Sequence, residues 1–440
     1  MRNIFDFCCE HIQARRRADE HYLLWFEGEQ SDFVRFNHAN VRQAGNVNQA
    51  MLEIRLIQGK KHIAARTGVS GDPILDKVSL DSLINSLRTQ LADIPEDPYL
   101  LYSTDEASSE SIQKGSLPSN AELIAQITDS AKCKDLVGIY AAGPIYRGFA
   151  SSLGSRRWHQ TETFNWDFSL YLSGDKAVKS RYTGFKWQEQ EYLNKIHHAI
   201  HEMEILARPS ITLAPGKYRA YLAPTALVEV MSMLAWDSFG IKAQKTRRSA
   251  LLRLIEGFDS FHPILNIQEN ICGGISPNFD ANGFAKPGLI ELIKEGKLNQ
   301  TLVSPRSAIE FNLPTTGANT AESPEALKVS GGHLQESDIL RQLDTGIYIN
   351  NLWYLNYSDH SAARLTGMTR FATFWVEKGK IIAPVDVMRF DESIYRLLGT
   401  NLEGLTEKQE YLIDPSSYNA RSNQTWELPG ALVSNLSLTL

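Results

Sequence analysis

Phe164, Trp166, Phe168 and Leu170 stand at every second position with polar residues between them, and Leu52, Ile54 and Leu56 show the same pattern far upstream. Successive side chains of a strand point to opposite faces, so this alternation puts all of the apolar groups on one side of a sheet; on a helix it would scatter them around the axis. The chain therefore needs sheets with one covered face. Helical stripes supply the cover. Between Asp76 and Leu91, apolar residues fall at Val78, Leu80, Leu83, Ile84, Leu87 and Leu91, with Asp76 as candidate N-cap. Further helices are predicted over residues 1–20, Ser119–Cys133, Trp187–Ala207 and Pro224–Trp236. Strands and helices fall in separate clusters and do not alternate as βαβ units, which predicts an α+β class.

A chain of 440 residues exceeds the roughly 250–300 at which a single core stops growing. Three regions are expected: residues 1–110, an α+β meander; 111–207, a central β region ending in a long linking helix; and 208–440, mostly β. In the first, Tyr22–Phe26 and Asp32–Phe36 read as two strands around a turn at Gly28–Ser31. In the last, strands are predicted at Thr301–Ser304, Gly346–Asn351, Phe371–Glu377 and Lys380–Val387.

The 45 basic and 51 acidic residues leave a formal charge of −6, which gives no reason to expect direct contact with nucleic acid. No segment approaches the roughly 20 apolar residues of a membrane span. The amphipathic N-terminus has no apolar run of the kind a secretory signal needs. Four cysteines, Cys8, Cys9, Cys133 and Cys272, are too sparse for a disulfide framework. These readings predict a cytoplasmic protein with no membrane partner.

Few residues suggest chemistry. His197 and His201, four apart on a helix and followed by Glu202, share a face on which a metal could sit. In the usual zinc-peptidase helix the glutamate follows the first histidine, a place held here by His198; a solvated helix face is the alternative. Cys272 lies in a glycine-bounded turn, either as a reactive thiol or as a small buried residue. Met231, Met233 and Trp236 make a soft apolar stripe suited to peptide contact or to core packing.

From Phe279 onward the chain resembles the C-terminal half of the TldD/PmbA family. The likeness is carried in order by Phe279–Gly283, Leu289–Leu298 (a weak helix and then a Gly-x-Leu strand), Thr316–Asn319, Gly346–Tyr348, Thr366–Phe371, the hairpin at Val376–Lys380 with Pro384 and Val385, and Pro429–Val433. Upstream, Leu213–Pro224 resembles the family's entry into its metal-binding helix. Catalytic members carry His-Glu-x-x-x-His on that helix and a later cysteine as further zinc ligand. Laid on this chain, the motif falls on Ser232, Met233 and Asp237, and no cysteine follows Cys272.

The resemblance therefore implies the PmbA (TldE) branch, a subunit without catalytic residues, cofactor or metal of its own. Such a subunit handles unfolded or precursor peptides beside a TldD-like zinc subunit, or as a homodimer. It also implies that substrate is held as an added strand at a sheet edge, for which Gly346, Ile347, Tyr348 and Ile349 are the candidates. Two other readings stay open: a metallopeptidase with an unconventional site at His197 and His201, and a regulatory protein acting on DNA gyrase.

Overall fold

The computed structural model describes residues 1–173 and 176–439. Its fold is α+β. The N-terminal half is one seven-stranded sheet built from long hairpins. Strands β1 (His21–Asn37) and β2 (Asn40–Gln58) pair without interruption of direction from His21 opposite Ile57 to Asn37 opposite Asn40. The reversal lies at His38 and Ala39, both with left-handed backbone. No turn exists at Gly28–Ser31, where Gly28 faces Ala50 and Gln30 faces Asn48. Those polar residues read as a turn because they serve contacts that the local sequence does not reveal. Glu29 and Ser31 are buried beneath a distant loop, and Gln30 accepts a hydrogen bond from the Tyr146 hydroxyl.

The meander continues with β3 (Lys61–Gly68), β4 (Ser109–Gln113), β5 (Asp135–Ser151), β6 (Arg156–Ser173) and β7 (Lys176–Gly184). The order β3-β2-β1-β5-β6-β4, with β7 also on β6, places β5 directly against β1, from Leu23 opposite Ser151 to Phe36 opposite Gly138. The expected boundary near residue 110 thus cuts through a single sheet, and residues 1–110 and 111–207 fold together.

Two pairs of helices cover this sheet. Helices α1 (Arg2–Arg15) and α2 (Pro73–Leu91) close a core around Phe5, Phe26 and Trp158, whose rings lie 5.5–5.8 Å apart. Helices α3 (Asn120–Ser130) and α4 (Glu189–Leu206) close a second core around Tyr140, Phe164, Trp166 and Trp187. Ser119 and Glu122 start α3 with reciprocal backbone hydrogen bonds, a capping box.

The cap of α2 is Asp72, which accepts from the Ile74 and Leu75 amides, and not Asp76. Asp76 is instead a buried tie for the preceding loop, accepting from the Ser70 amide and hydroxyl and from the Gly71 amide at 2.8–2.9 Å. Asp76→Ala strands three donors and is expected to cost about 2 kcal/mol, measured as a lowered unfolding midpoint; Asp72→Ala should cost about half as much.

The C-terminal half is a thirteen-stranded sheet. Its elements are β8 (Gly216–Leu222), helix α5 (Pro224–Ala235), β9 (Ile267–Glu269), β10 (Ile290–Lys294), β11 (Lys297–Leu298), β12 (Ala326–Val329) and β13 (Gly346–Ile349). There follow β14 (Trp353–Asp359), β15 (Arg364–Met368), β16 (Thr373–Glu377), β17 (Lys380–Pro384), β18 (Arg389–Ser393), β19 (Leu402–Ile413) and β20 (Thr425–Leu438). The main path runs β11-β10-β9-β12-β20-β8-β13-β16-β17.

Three local expectations change here. Leu289–Leu298 has no helix and forms the β10–β11 hairpin, turning at Glu295 and Gly296 with positive φ. Thr301–Ser304 is not a strand; Leu302 makes a single bridge to Gly240. Gly346–Ile349 is no sheet edge: β13 pairs with β8 on one side and β16 on the other, and Ile347 and Ile349 are fully buried. An incoming strand finds both ladders of β13 already used.

Candidate functional site

Helix α5 is apolar on nearly every side because it is packed into the C-terminal core. Ala226, Leu227, Val230, Met231 and Leu234 are buried, and Pro224 sits in the first turn, where its missing N–H costs nothing. Met231 is therefore core, Met233 is half-buried with its carbonyl accepting from the Tyr357 hydroxyl, and Trp236 is 66% exposed at the helix end. The three positions matched to the zinc motif do not share a face. Ser232 bonds back to the Val228 carbonyl, and Asp237 lies beyond the last turn in left-handed backbone.

Glu229, the one carboxylate of α5, lines a cavity of about 460 Å³ together with Arg181, Asp414 and Trp426. Burial raises its pKa above that of an ordinary glutamate, against the pull of Arg181, whose Nη2 lies 3.7 Å away. The same guanidinium donates from Nε to Asp167 at 2.9 Å. The motif-based placement missed Glu229, although a lone acid on an otherwise apolar helix was a visible signal. With the motif's glutamate set on Glu229, its histidine positions fall on Val228 and Met233, which are not ligands. Two carboxylates and a guanidinium do not make a zinc donor set.

The helix α4 candidates do not converge. Glu202 is buried, accepting from Asn350 Nδ2 at 2.6 Å and facing His198, whose pKa is raised by that carboxylate. His197 is exposed, and His201 faces Glu204 at 3.9 Å over solvent. Among the described residues no three His, Cys, Asp or Glu side chains are placed to hold one metal ion. Cys272 is exposed rather than buried; its amide donates to the Gly288 carbonyl, and its thiol fills the space beside that glycine.

A second and larger cavity, about 670 Å³, opens between the N-terminal sheet and the loops of the C-terminal half. Strand residues Trp25, Glu27, Arg55 and Arg147 form one wall, and Asp280, Lys286 and Glu325 belong to the other. The acids are engaged. Glu27 pairs with Arg66, Asp97 with Arg306 and His62, and Glu325 with Lys286 and Asn319. Asp280 spends both oxygens on Asn282 and Phe284, and burial raises its pKa.

The bases are not all matched. Among the described residues Arg147 donates only to neutral oxygens, the Tyr146 carbonyl at 2.8 Å and Asn423 Oδ1 at 2.9 Å. Burial outweighs the attraction of Glu27, Glu29 and Glu325 and lowers its pKa. Lys242, exposed at the rim, has no carboxylate partner among the described residues.

Between the two cavities runs the loop from Asp414 to Gln424, joining β19 to β20. Arg421 pins it to the N-terminal sheet. Its guanidinium donates to Ser31 Oγ, the Gly143 carbonyl, and the Thr163 carbonyl and hydroxyl, while its amide donates to Glu29.

Comparison with known proteins places this arrangement. Residues 215–440, just over half of the chain, match the family model described as PmbA/TldA metallopeptidase C-terminal domain. No curated protein sequence matches significantly. Three solved structures share the fold across almost the whole length. TldE from Thermococcus kodakarensis is 14% identical, with all of both chains covered and a TM-score of 0.76. A Thermotoga maritima protein, titled as a candidate modulator of a DNA gyrase, is also 14% identical at TM-score 0.76, over 99% of this chain and 100% of that one. A Bacteroides thetaiotaomicron protein with a similar title is 12% identical at TM-score 0.74, over 100% and 98%. At such identities the structures speak for fold alone, whereas the match of the C-terminal half to its family model settles membership: the chain belongs to the PmbA/TldD family.

Proposed function

We propose that this chain is a subunit of a TldD/TldE-type peptidase assembly that has no zinc site of its own and presents peptide to a zinc-bearing homologue. One observation carries the reading. The helix on which catalytic members of the family hold their metal offers, in this chain, a single carboxylate, Glu229 beside Arg181, and no histidine. Family membership supports the peptidase-related role. A free strand edge does lie beside α5, at β14: this strand pairs only with β15 among the described residues, and its own Tyr357 bonds to the helix through the Met233 carbonyl. Substrate held in extended form would add there, replacing the interior β13 as the candidate.

The test is a peptide-cleavage assay on this chain alone, on its co-purified zinc-bearing homologue, and on the pair. Cleavage only by the pair is expected; chelator-sensitive cleavage by this chain alone, with stoichiometric zinc, would overturn the reading. The reading as a regulator of DNA gyrase has no specific observation in its favour, since that role is named only for two fold neighbours.

A further inference from the structure

We propose that the 670 Å³ cleft between the two halves is a binding site for a carboxylate-bearing peptide segment, with the carboxylate seated on Arg147 and Lys242 adding attraction at the mouth. The inference concerns this chain by itself and stands whether or not a zinc-bearing partner exists. Three observations converge. The volume falls within the roughly 300–1,000 Å³ typical of ligand pockets. Within it every carboxylate is already neutralised or hydrogen-bonded, while Arg147 has only neutral acceptors and three of its five N–H donors are uncommitted. A guanidinium held in this way is a preset fork for a carboxylate, which would receive two parallel charge-assisted hydrogen bonds. Arg55, held by Asn282 at 2.6 Å and only loosely by Glu53 at 3.7 Å, adds positive potential on the same wall.

The rest of the lining fits a peptide better than a small inorganic anion. Trp25 and Phe279 meet edge to face at 5.9 Å, and Tyr99 lies under the Arg306 guanidinium, so aromatic surface flanks the charged floor. A peptide with an apolar body and an acidic end uses both.

Binding of hexapeptides carrying an uncharged dye, followed by fluorescence polarisation on the full chain, tests this. One peptide has an acidic side chain and an amidated end, a second has no acidic side chain and a free C-terminal carboxylate, and a third is neutral and amidated. At least one acidic peptide should bind tenfold or more tighter than the neutral one, and which of the two does so identifies the source of the carboxylate. That affinity should weaken with added salt, and Arg147→Met should weaken it about tenfold, the equivalent of about 1.4 kcal/mol. Should Arg147→Met fail to fold, Lys242→Met decides the matter, because its side chain is exposed and unpaired; about a threefold loss is expected for a rim charge. Equal binding of all three peptides, no binding by either acidic one, or unchanged affinity in the folded variants would overturn the proposal.

Discussion

Arg421→Met is expected to lower the unfolding free energy by about 3–5 kcal/mol, the cost of removing one partner from a buried charged network. Arg421 is 5% exposed, and burial takes its pKa down to about 10. Its guanidinium is nevertheless held charged by acceptors from three strands: Ser31 at 3.3 Å, the Gly143 carbonyl at 2.9 Å, and Thr163 at 3.0 and 2.6 Å. Methionine fills similar space and satisfies none of them. It also leaves Glu29, 2% exposed, without one of the two guanidinium groups it attracts. Urea unfolding of the single variant and of Arg421→Met combined with Glu29→Gln separates the terms. The double variant should recover part of the loss, because it removes the orphaned carboxylate as well as the guanidinium. Hydrogen exchange of residues 414–424 should rise in the single variant, since this side chain makes four of the hydrogen bonds that fasten that loop. A loss under about 1 kcal/mol would mean that the loop stays docked without it.

The second large effect is a pH dependence centred on Glu269. Its carboxylate, at the end of β9, is 4% exposed and accepts hydrogen bonds from the Glu325 and Ala326 amides. Burial outweighs those bonds, and with the nearby Glu325 charge raises its pKa from 4.5 to about 7, against the opposing pull of Lys286. A raised value means that the fold favours the neutral acid. This contribution to stability is fully present below about pH 4.5 and is lost as pH rises through 7. The interval corresponds to about 3 kcal/mol at roughly 1.4 kcal/mol per pH unit. Glu269→Gln keeps an oxygen for the two amides and cannot ionise. Denaturant titrations at pH 4.5 and 8 should therefore show wild type losing about 3 kcal/mol relative to the variant. A difference between the two proteins that does not change with pH would remove Glu269 as its source.

The elements that came through from sequence are those whose signal is local. The stripe of Leu80, Ile84, Leu87 and Leu91 gave α2, and the alternation around Trp166 gave β6, because in each the buried face repeats with the period of its own backbone. The failures share another cause. Gly28–Ser31 looked like a turn because its polar groups serve a partner nearly 400 residues away in the chain, Arg421. Asp76 looked like a cap because its true acceptor role lies in the loop before the helix. Gly346–Ile349 looked like an available strand, and nothing in four residues announces that a ladder already occupies each side. At the site, the resemblance directed attention to α5. Which of its residues points into a cavity depends on Arg181 and Asp414, brought there by tertiary packing.

The position of β20 has a consequence for how the molecule comes to be folded. This strand, Thr425–Leu438, pairs with β12, β8, β18 and β19, so the central ladder of the C-terminal sheet is written in the last residues of the sequence. Strand β8, more than 200 positions earlier, has β13 on one side and must wait for β20 on the other. Pairings of such long sequence separation form late and slowly. Until they form, the nascent C-terminal half carries open strand edges and an uncovered apolar helix, the surfaces through which incompletely folded chains aggregate.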